Sequence, residues 1–469
     1  MQITSQQPLV FVIFGMTGDL STRKIIPSLW YLFKHKYLSQ RTVILGFSRK
    51  ELTSHDIEIL VTDSLSEHAQ VNQTSTDLKA FCKLFRYISG TFDNHDAYAQ
   101  LQRQIGDIEK AWNTKVNRIF FFAVPPIHYE PILQNLSQHK LDHQSSQYWC
   151  RILIEKPFGS DLNSARKLQA LIGTYFTEDQ IYRIDHYLFK EIIQGIENFR
   201  FSNNLFEHLW NNHTIERIDL RLHETLGVED RAGFYDSVGA LRDVGQNHLL
   251  SMLAMITMHY PKDQGSIDIQ KERAKILRAL SPWNSKLLKQ NTFRAQYRGY
   301  AEIPHIQENS NTETFFHIKT ELKHPRWSNI PIYISGGKKM AEVNKEIIIT
   351  LAHPQICHLC KIGEHEPNRI IFKIAPHDEI TICFWAKKPG LETIIEERNM
   401  TFFLYEKEMR TQYVEEYAKV IHAAATGDQS YFTSAEEVEA MWQFTDPIID
   451  FWSSGNAALQ LYDENTNPL

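Results

Sequence analysis

Three short stretches of this sequence gather side chains able to move a proton or hold an anion. The densest is Arg183-Ile184-Asp185-His186-Tyr187-Leu188-Phe189-Lys190-Glu191. Read as a helix, it sets His186 and Lys190 four apart and Tyr187 and Lys190 three apart, so three donors share one face near a helix start. That face suits a phosphate monoester; the alternative is an amphipathic helix with a solvated polar side. The second stretch, Leu241-Arg242-Asp243-Val244-Gly245-Gln246-Asn247-His248-Leu249-Leu250, carries an acid and an imidazole. On an α-helix His248 lies among Leu241, Val244 and Met252, the setting of a satisfied core histidine, although an imidazole titrating near neutrality also suits a general base. Asp243, five positions away, then points elsewhere. The acid that orients His248 must come from another segment, and Asp185 is the candidate. The third stretch, Glu155-Lys156-Pro157-Phe158-Gly159, closes an apolar run. It places Lys156 at the C-terminal end of a strand, where open parallel sheets bind ligands, unless Pro157 and Gly159 merely terminate that strand.

A fourth signal is backbone-based. Phe11-Val12-Ile13-Phe14 runs into Gly15-Met16-Thr17-Gly18-Asp19-Leu20 and then into a helical stretch from about Ser21, with Pro27 in its early turns. Strand, glycine turn and helix together form a cradle for a diphosphate, because glycines allow close backbone approach and a helix start favours negative charge. The full GxGxxG fingerprint and the Lys-Ser/Thr of a P-loop are both missing, so a glycine turn without a ligand stays open as an alternative. The next apolar run ends Gly46-Phe47-Ser48-Arg49-Lys50, with cations where an acid often grips a ribose. Arg49 there suits the 2′-phosphate of NADP; the competing reading is a solvated loop charge.

These residues need a frame. Over the first 160 residues short apolar runs alternate with amphipathic ones, which predicts a parallel sheet with crossover helices. The expected strands are Leu9 to Phe14, Thr42 to Phe47, Leu84 to Ser89, Arg118 to Ala123 and Trp149 to Glu155. After about Arg183 a long helical stretch precedes closely spaced strands at Thr214 to His223, Thr314 to Glu321, Ile330 to Ser335, Glu346 to Leu351, Arg369 to Ile374 and Glu379 to Phe384. That rhythm predicts a second domain with a largely antiparallel sheet. The tail reads as two helices, Tyr405 to Ala425 and Ala435 to Trp452, broken at Gly427 and Asp428.

With 469 residues, two or three folding units fit the length. Lys and Arg number 50 against 56 Asp and Glu, without the basic excess that nucleic-acid or anionic-membrane binding usually leaves. The longest apolar run, near Leu249 to Met258, is far short of the ~20 residues that span a bilayer, and the polar N-terminus lacks a secretory pattern. A cytoplasmic location is expected. Five scattered cysteines do not suggest a disulfide framework. Cys357 and Cys360 have the spacing of a zinc half-site or redox pair, which His353, His358 and His365 could complete. The flanking strand pattern favours packed thiols instead, so no metal is expected.

Taken in order, GMTGDLSTRK at 15–24, EKPFG at 155–159, RIDHYLFKE at 183–191 and RDVGQNHLL at 242–250 resemble the glucose-6-phosphate dehydrogenase family. GFSRKELT at 46–53, KERAKILRAL at 271–280, TETF at 312–315 and RWSNIPIYISGGKKM at 326–340 extend the likeness over nearly the whole chain. The resemblance implies an α/β plus α+β architecture: a Rossmann-like NADP-binding domain at 1–184, then a substrate-binding, catalytic and dimerisation domain at 185–469 with a large, mostly antiparallel sheet. It implies oxidation of glucose 6-phosphate to 6-phospho-D-glucono-1,5-lactone with hydride transfer to NADP, the first step of the pentose phosphate pathway, by a homodimer or homotetramer. By position, His248 is the general base and Asp185 holds its imidazole. His186, Tyr187 and Lys190 hold the phosphate, and Lys156, Glu224, Asp243 and Lys338 orient the sugar. Gly15, Met16, Thr17, Gly18, Asp19, Leu20 and Arg49 hold the cofactor, Lys156 reaches its nicotinamide end, and Ala123, Val124 and Pro125 border it. Two positions depart from the family pattern. Phe189 stands where DHYLGKE has glycine, with its bulk expected beside Lys190. Glu342 and Val343 stand where a second basic residue follows Lys338, and Lys345 fills that role only through a shifted register. Those departures keep open a dehydrogenase of another hexose 6-phosphate, or a noncatalytic relative that binds nucleotide or sugar phosphate.

Overall fold

The computed structural model describes residues 7–71, 75–262, 265–354, 365–392, 394–404 and 414–469. The chain divides into two compact units: 1–159 with 163–189 and 414–435, and 160–162 with 190–413 and 436–469. Cys357, His358, Cys360 and the first part of the expected tail helix, 405–413, lie outside the described residues.

The first unit is built on strands β1 (Leu9–Phe14), β2 (Thr42–Ser48), β3 (Phe85–Ser89), β4 (Asn117–Phe122), β5 (Cys150–Glu155) and β6 (Ile181–Ile184). They form one sheet in the order β3-β2-β1-β4-β5-β6, parallel throughout. Strands β1, β2 and β4 are buried along their whole length because both faces are covered. Leu9, Phe11 and Ile13 enter one core cluster, whereas Val10, Val12 and Phe14 enter the other. The order reverses between β1 and β4, so the glycine loop after β1 opens at the place where doubly wound sheets take ligands. Residues 414–435 complete this unit: Tyr417, Val420, Ile421 and Phe432 pack into the first cluster. The five strands expected here are present with ends shifted by a residue or less, and β6 was not foreseen, being only four residues long.

The second unit carries β7 (Ile215–His223), β8 (Thr292–Tyr297), β9 (Phe315–Thr320), β10 (Ile332–Gly337), β11 (Asn344–Leu351), β12 (Arg369–Ala375), β13 (Glu379–Lys387), β14 (Ile395–Phe403) and β15 (Gln460–Tyr462). These form a nine-stranded sheet in the order β14-β13-β12-β11-β7-β10-β9-β8-β15. Pairing is antiparallel except at β7·β10 and β8·β15. Alternation is clear on β7, where Ile218, Leu220 and Leu222 are buried while Arg217 and Arg221 on the other face are part-exposed. The π-helical segment Leu241–Leu249 packs on β7 and β10 and the helix Glu191–Phe201 on β12, and the helix Leu250–Thr257, every residue of which is buried, packs against Glu191–Phe201 and Ser266–Arg278. Strands β8, β14 and β15 were not expected.

A fully buried ion pair joins two helices of this unit. Arg273 in the helix Ser266–Arg278 donates through Nε and Nη2 to Glu437 Oε1 and Oε2 of the helix Ala435–Ser453, at 2.6 and 3.2 Å. Both side chains are inaccessible to solvent. Removing one partner strands a buried charge, so Arg273→Met should lower stability by about 3–5 kcal/mol, and Arg273→Met/Glu437→Leu by less than Arg273→Met alone. Urea unfolding of the three proteins measures both differences; a double variant as unstable as the single one contradicts this assignment.

Candidate active site

In the first unit the turn after β1 is shaped by Gly15. Its φ of +86° lies in the left-handed region, and a Cβ there would fall 2.4 Å from the Ala123 carbonyl oxygen and 2.9 Å from Val124 Cγ1. The loop thus presses against the end of β4, where Ala123, Val124 and Pro125 were expected to border a dinucleotide. The Gly15 amide donates to Phe47 O at 2.8 Å, Gly18 N to Gly15 O at 2.9 Å, and Ser21 Oγ to Gly15 O at 3.0 Å. The helix that follows begins in a π register over Ser21–Ile25 before α-helical Ile26–Lys34, a widening that precedes Pro27, which has no amide to donate. Met16 is fully buried in the core, so of the loop residues it offers a ligand its backbone rather than its side chain. Thr17 Oγ1 meets Ser48 Oγ at 3.1 Å, and Tyr87 of β3 ties down the next turn by donating to Lys50 O at 2.7 Å. Tyr87 carried no signal in the sequence beyond its strand. Arg49 is exposed and, among the described residues, forms no ion pair, which fits a cation kept for a phosphate. A close-fitting glycine turn and an available guanidinium at the end of β2 suit NADP.

The same unit holds Lys156, part-exposed at the end of β5, and Asp185, His186 and Tyr187 just after β6. Asp185 is buried; its Oδ1 accepts from the Tyr187 amide at 3.0 Å and its carbonyl from the Leu188 amide at 3.1 Å. This local capping winds His186–Phe189 into a 3₁₀ turn. Lys190 is extended, with ψ of 138°, and caps the helix Glu191–Phe201. The expected continuous helix with three donors on one face is therefore not formed. Phe189 also departs from expectation: it is buried in the core, its ring 4.9 Å from that of Phe432 and 6.1 Å from that of Tyr431. Its bulk fills the space under residues 414–435.

In the second unit the cationic and acidic residues meet through strand register. Parallel β7 and β10 pair His223 with Gly337, so the next residues, Glu224 and Lys338, emerge side by side, and the Glu224 amide donates to Gly337 O at 2.9 Å. Lys338 Nζ donates to Glu224 Oε2 and lies 3.6 Å from Asp243 Oδ2. Lys345 of β11 opposes Leu222 of β7 in an antiparallel register that is unbroken from Asn344 to Thr350, and its Nζ donates to Glu224 Oε1 at 2.5 Å. This pairing, rather than a shift along β11, brings Lys345 to Glu224; the bulge beside it lies on β12, where Ile374 is the extra residue. Arg231 Nη2 donates to Asp243 Oδ2 at 3.0 Å, a contact with no sequence signal. Burial opposes charge on Glu224, yet Lys338 and then Lys345 outweigh it and hold the carboxyl at about 2.

His248 is buried in the segment Leu241–Leu249, which is a π-helix rather than an α-helix. Asn247 Nδ2 donates back to Arg242 O at 3.1 Å. With hydrogen bonds from i to i+5 and a wider turn, the α-helical spacing that sent Asp243 away from His248 does not apply. Gly245 makes this placement possible: a Cβ there would lie 2.8 Å from Phe316 Cζ of β9 and 2.7 Å from Leu241 Cδ1.

Residues 12–195 match the family model for the glucose-6-phosphate dehydrogenase NAD binding domain, and residues 197–468 the model for the glucose-6-phosphate dehydrogenase C-terminal domain. The chain belongs to the glucose-6-phosphate dehydrogenase family. Glucose-6-phosphate 1-dehydrogenase of Borreliella burgdorferi is 35% identical over 452 residues, 94% of this chain and 91% of that protein. The protein of that name from Chlamydia pneumoniae is 33% identical over 473 residues, 96% of this chain and 90% of that one. A solved glucose-6-phosphate dehydrogenase in complex with its substrate glucose-6-phosphate matches at a TM-score of 0.90 and 28% identity, covering 99% of this chain and 96% of that one. Among the described residues no helix is long and apolar enough to cross a membrane.

Family motifs also frame a group that sequence reading passed over. Glu155, at the end of β5, has a buried carboxyl that accepts from Tyr417, and its Oε1 has no hydrogen-bond partner among the described residues. Burial pushes this carboxyl up to about 7 against the pull of Tyr417 and Lys156, and Asp185 adds to the rise. The folded state therefore binds this proton more tightly than the unfolded chain, whose glutamates titrate near 4.5. The neutral form is fully accommodated below that pH, and stability is lost as pH rises toward about 7. Glu155→Gln removes that loss, so its stability relative to the parent should improve by up to about 3 kcal/mol between pH 4.5 and pH 8. Thermal and urea unfolding across that range measures it; parallel pH profiles for the two proteins refute the assignment.

Proposed function

We propose that this chain oxidises D-glucose 6-phosphate to 6-phospho-D-glucono-1,5-lactone, with NADP as the hydride acceptor. What carries the reading is the presence of both family modules on one chain, the second keeping an acid and lysine network against the His248 helix. His248 takes the proton from the anomeric O1–H. As that bond breaks, C1–O1 becomes the lactone carbonyl and C1 releases its hydrogen with the electron pair. NADP, when bound, supplies the acceptor for that hydride. Asp185 selects the imidazole tautomer and stabilises the imidazolium that forms. His186, Tyr187 and Lys190 hold the phosphate, while Lys156, Glu224, Asp243 and Lys338 orient the pyranose. Lys345 joins them as the second cation, carried by the pairing of β11 with β7. The turn Gly15 to Leu20 and Arg49 hold the dinucleotide. The same reading gives a homodimer or dimer of dimers acting in the cytoplasm.

The two departures from the family pattern lose their force as arguments for another sugar. Phe189 packs into the core of its own unit, and Lys345 supplies the charge that Val343 lacks.

Initial rates of reduced nicotinamide formation test the reading. Glucose 6-phosphate with NADP should turn over faster than other hexose 6-phosphates, and faster than with NAD. His248→Asn should lower kcat by about 10²–10⁴-fold in a protein that still folds. Binding of both ligands without hydride transfer in the unaltered protein would favour the noncatalytic alternative. Lys345→Met should raise KM for the sugar phosphate roughly ten- to a hundredfold, the loss of one charged contact, with a smaller effect on kcat. An unchanged KM removes Lys345 from the site.

A further inference from the structure

The hairpin joining β11 to β12 brings two histidines together away from the catalytic residues. Thr350 opposes Arg369, and Leu351 N donates to Asn368 O at 2.9 Å. Carried past the strand ends, that register sets His353 beside His365 and Glu366. The two Nε2 atoms are 3.2 Å apart, and the ring centroids 4.8 Å.

The other ring nitrogens fix what those Nε2 atoms are. His353 Nδ1 lies 3.0 Å from Pro354 O, and His365 Nδ1 lies 3.2 Å from Glu366 O. A carbonyl only accepts, so each Nδ1 carries a proton and Nε2 is the nitrogen each ring has for a metal. Nδ1–H donating to a backbone carbonyl is the outer-shell arrangement that prepares a histidine to bind metal through Nε2. The Glu366 carbonyl is itself held, since Trp385 Nε1 of β13 donates to it at 2.7 Å and the Trp385 ring stands 5.4 Å from that of His365.

Tetrahedral zinc with Zn–N bonds of ~2.05 Å sets its nitrogen ligands about 3.3 Å apart, which matches the pair. We propose that His353 and His365 form a zinc-binding site at the end of the β11–β12 hairpin, distinct from the dehydrogenase residues. This departs from the expectation that the chain binds no metal. Cys357, His358 and Cys360 lie in the intervening segment, outside the described residues, and the geometry of the pair does not draw on them.

Zinc titrated calorimetrically into reduced, tag-free, full-length protein should give a saturable event. Loss of outer-shell partners alone weakens metal sites about 10- to 100-fold, so His353→Ala/His365→Ala should weaken this event by at least about 100-fold. Zinc should also raise the melting temperature of the parent but not of the double variant. Metal-free circular dichroism melts establish that the variant folds; if it does not, His353→Ala alone must show the weakening. No saturable event in the parent overturns the proposal. Equal zinc affinity in parent and variant places the ion elsewhere and overturns it too.

Discussion

The parallel pairing of β7 with β10, in a sheet otherwise almost wholly antiparallel, is the constraint from which the charged cluster of the second unit follows. Parallel neighbours end at the same edge. Glu224 and Lys338, more than a hundred positions apart in sequence, therefore leave the sheet together. Such a pair also needs a crossover connection rather than a tight turn, and this one spans residues 224–331. The crossover contains the His248 segment, β8 and β9. Gly245 against Phe316 of β9 then brings the π-helix down onto the same end of the sheet. An antiparallel β7·β10 pair would send Lys338 to the opposite edge from Glu224.

In the first unit the corresponding constraint is the reversal of strand order between β1 and β4. It leaves the turn after β1 without a helix crossing above it, and the missing side chain of Gly15 lets that turn close on Ala123. The chain then leaves this unit after Phe189 and returns at Val414. That return brings Tyr417 to Glu155, so the acid beside Lys156 depends on a segment remote in sequence. Phe189 belongs to the same packing. A residue that reads as an intrusion on the phosphate grip is instead a wedge under residues 414–435.

How much of this could be read from the letters depended on whether the determining interaction was local. Both-faces-buried strands such as Leu9–Phe14 announce themselves as unbroken apolar runs, and Ile218, Leu220 and Leu222 by strict alternation. Four-residue β6, three-residue β15 and the largely exposed β14 lack enough pattern to stand out. The residue types around His248 were legible, but the π register was not, because apolar periodicity over nine residues does not separate 3.6 from a wider turn. Lys345 was hidden because it reaches Glu224 through the antiparallel β7·β11 register, a pairing of distant strands that spacing along the chain does not reveal. Capping by Asp185 likewise turned an expected helix into a 3₁₀ turn, through one side-chain acceptor that periodicity does not weigh.

The charge arrangement in the second unit bears on why so many ionisable groups tolerate each other there. Lys338 is almost fully buried, and desolvating an ammonium is expensive unless acceptors are already in place. Glu224 and Asp243 provide them, Lys345 and Arg231 compensate the two acids in turn, and the Tyr235 ring lies 5.8 Å from Lys338 Nζ. Each group is held by its neighbours, so its position is set before any ligand arrives. Donors and acceptors fixed in this way need not reorganise around a polar ligand, which is how preorganised dipoles favour one orientation over another. Removing Glu224 takes a partner from both Lys338 and Lys345, and removing Asp243 takes one from both Lys338 and Arg231. The two acids therefore tie the three cations together, and Glu224, Lys338 and Lys345 are placed by the registers of β7 with β10 and β11.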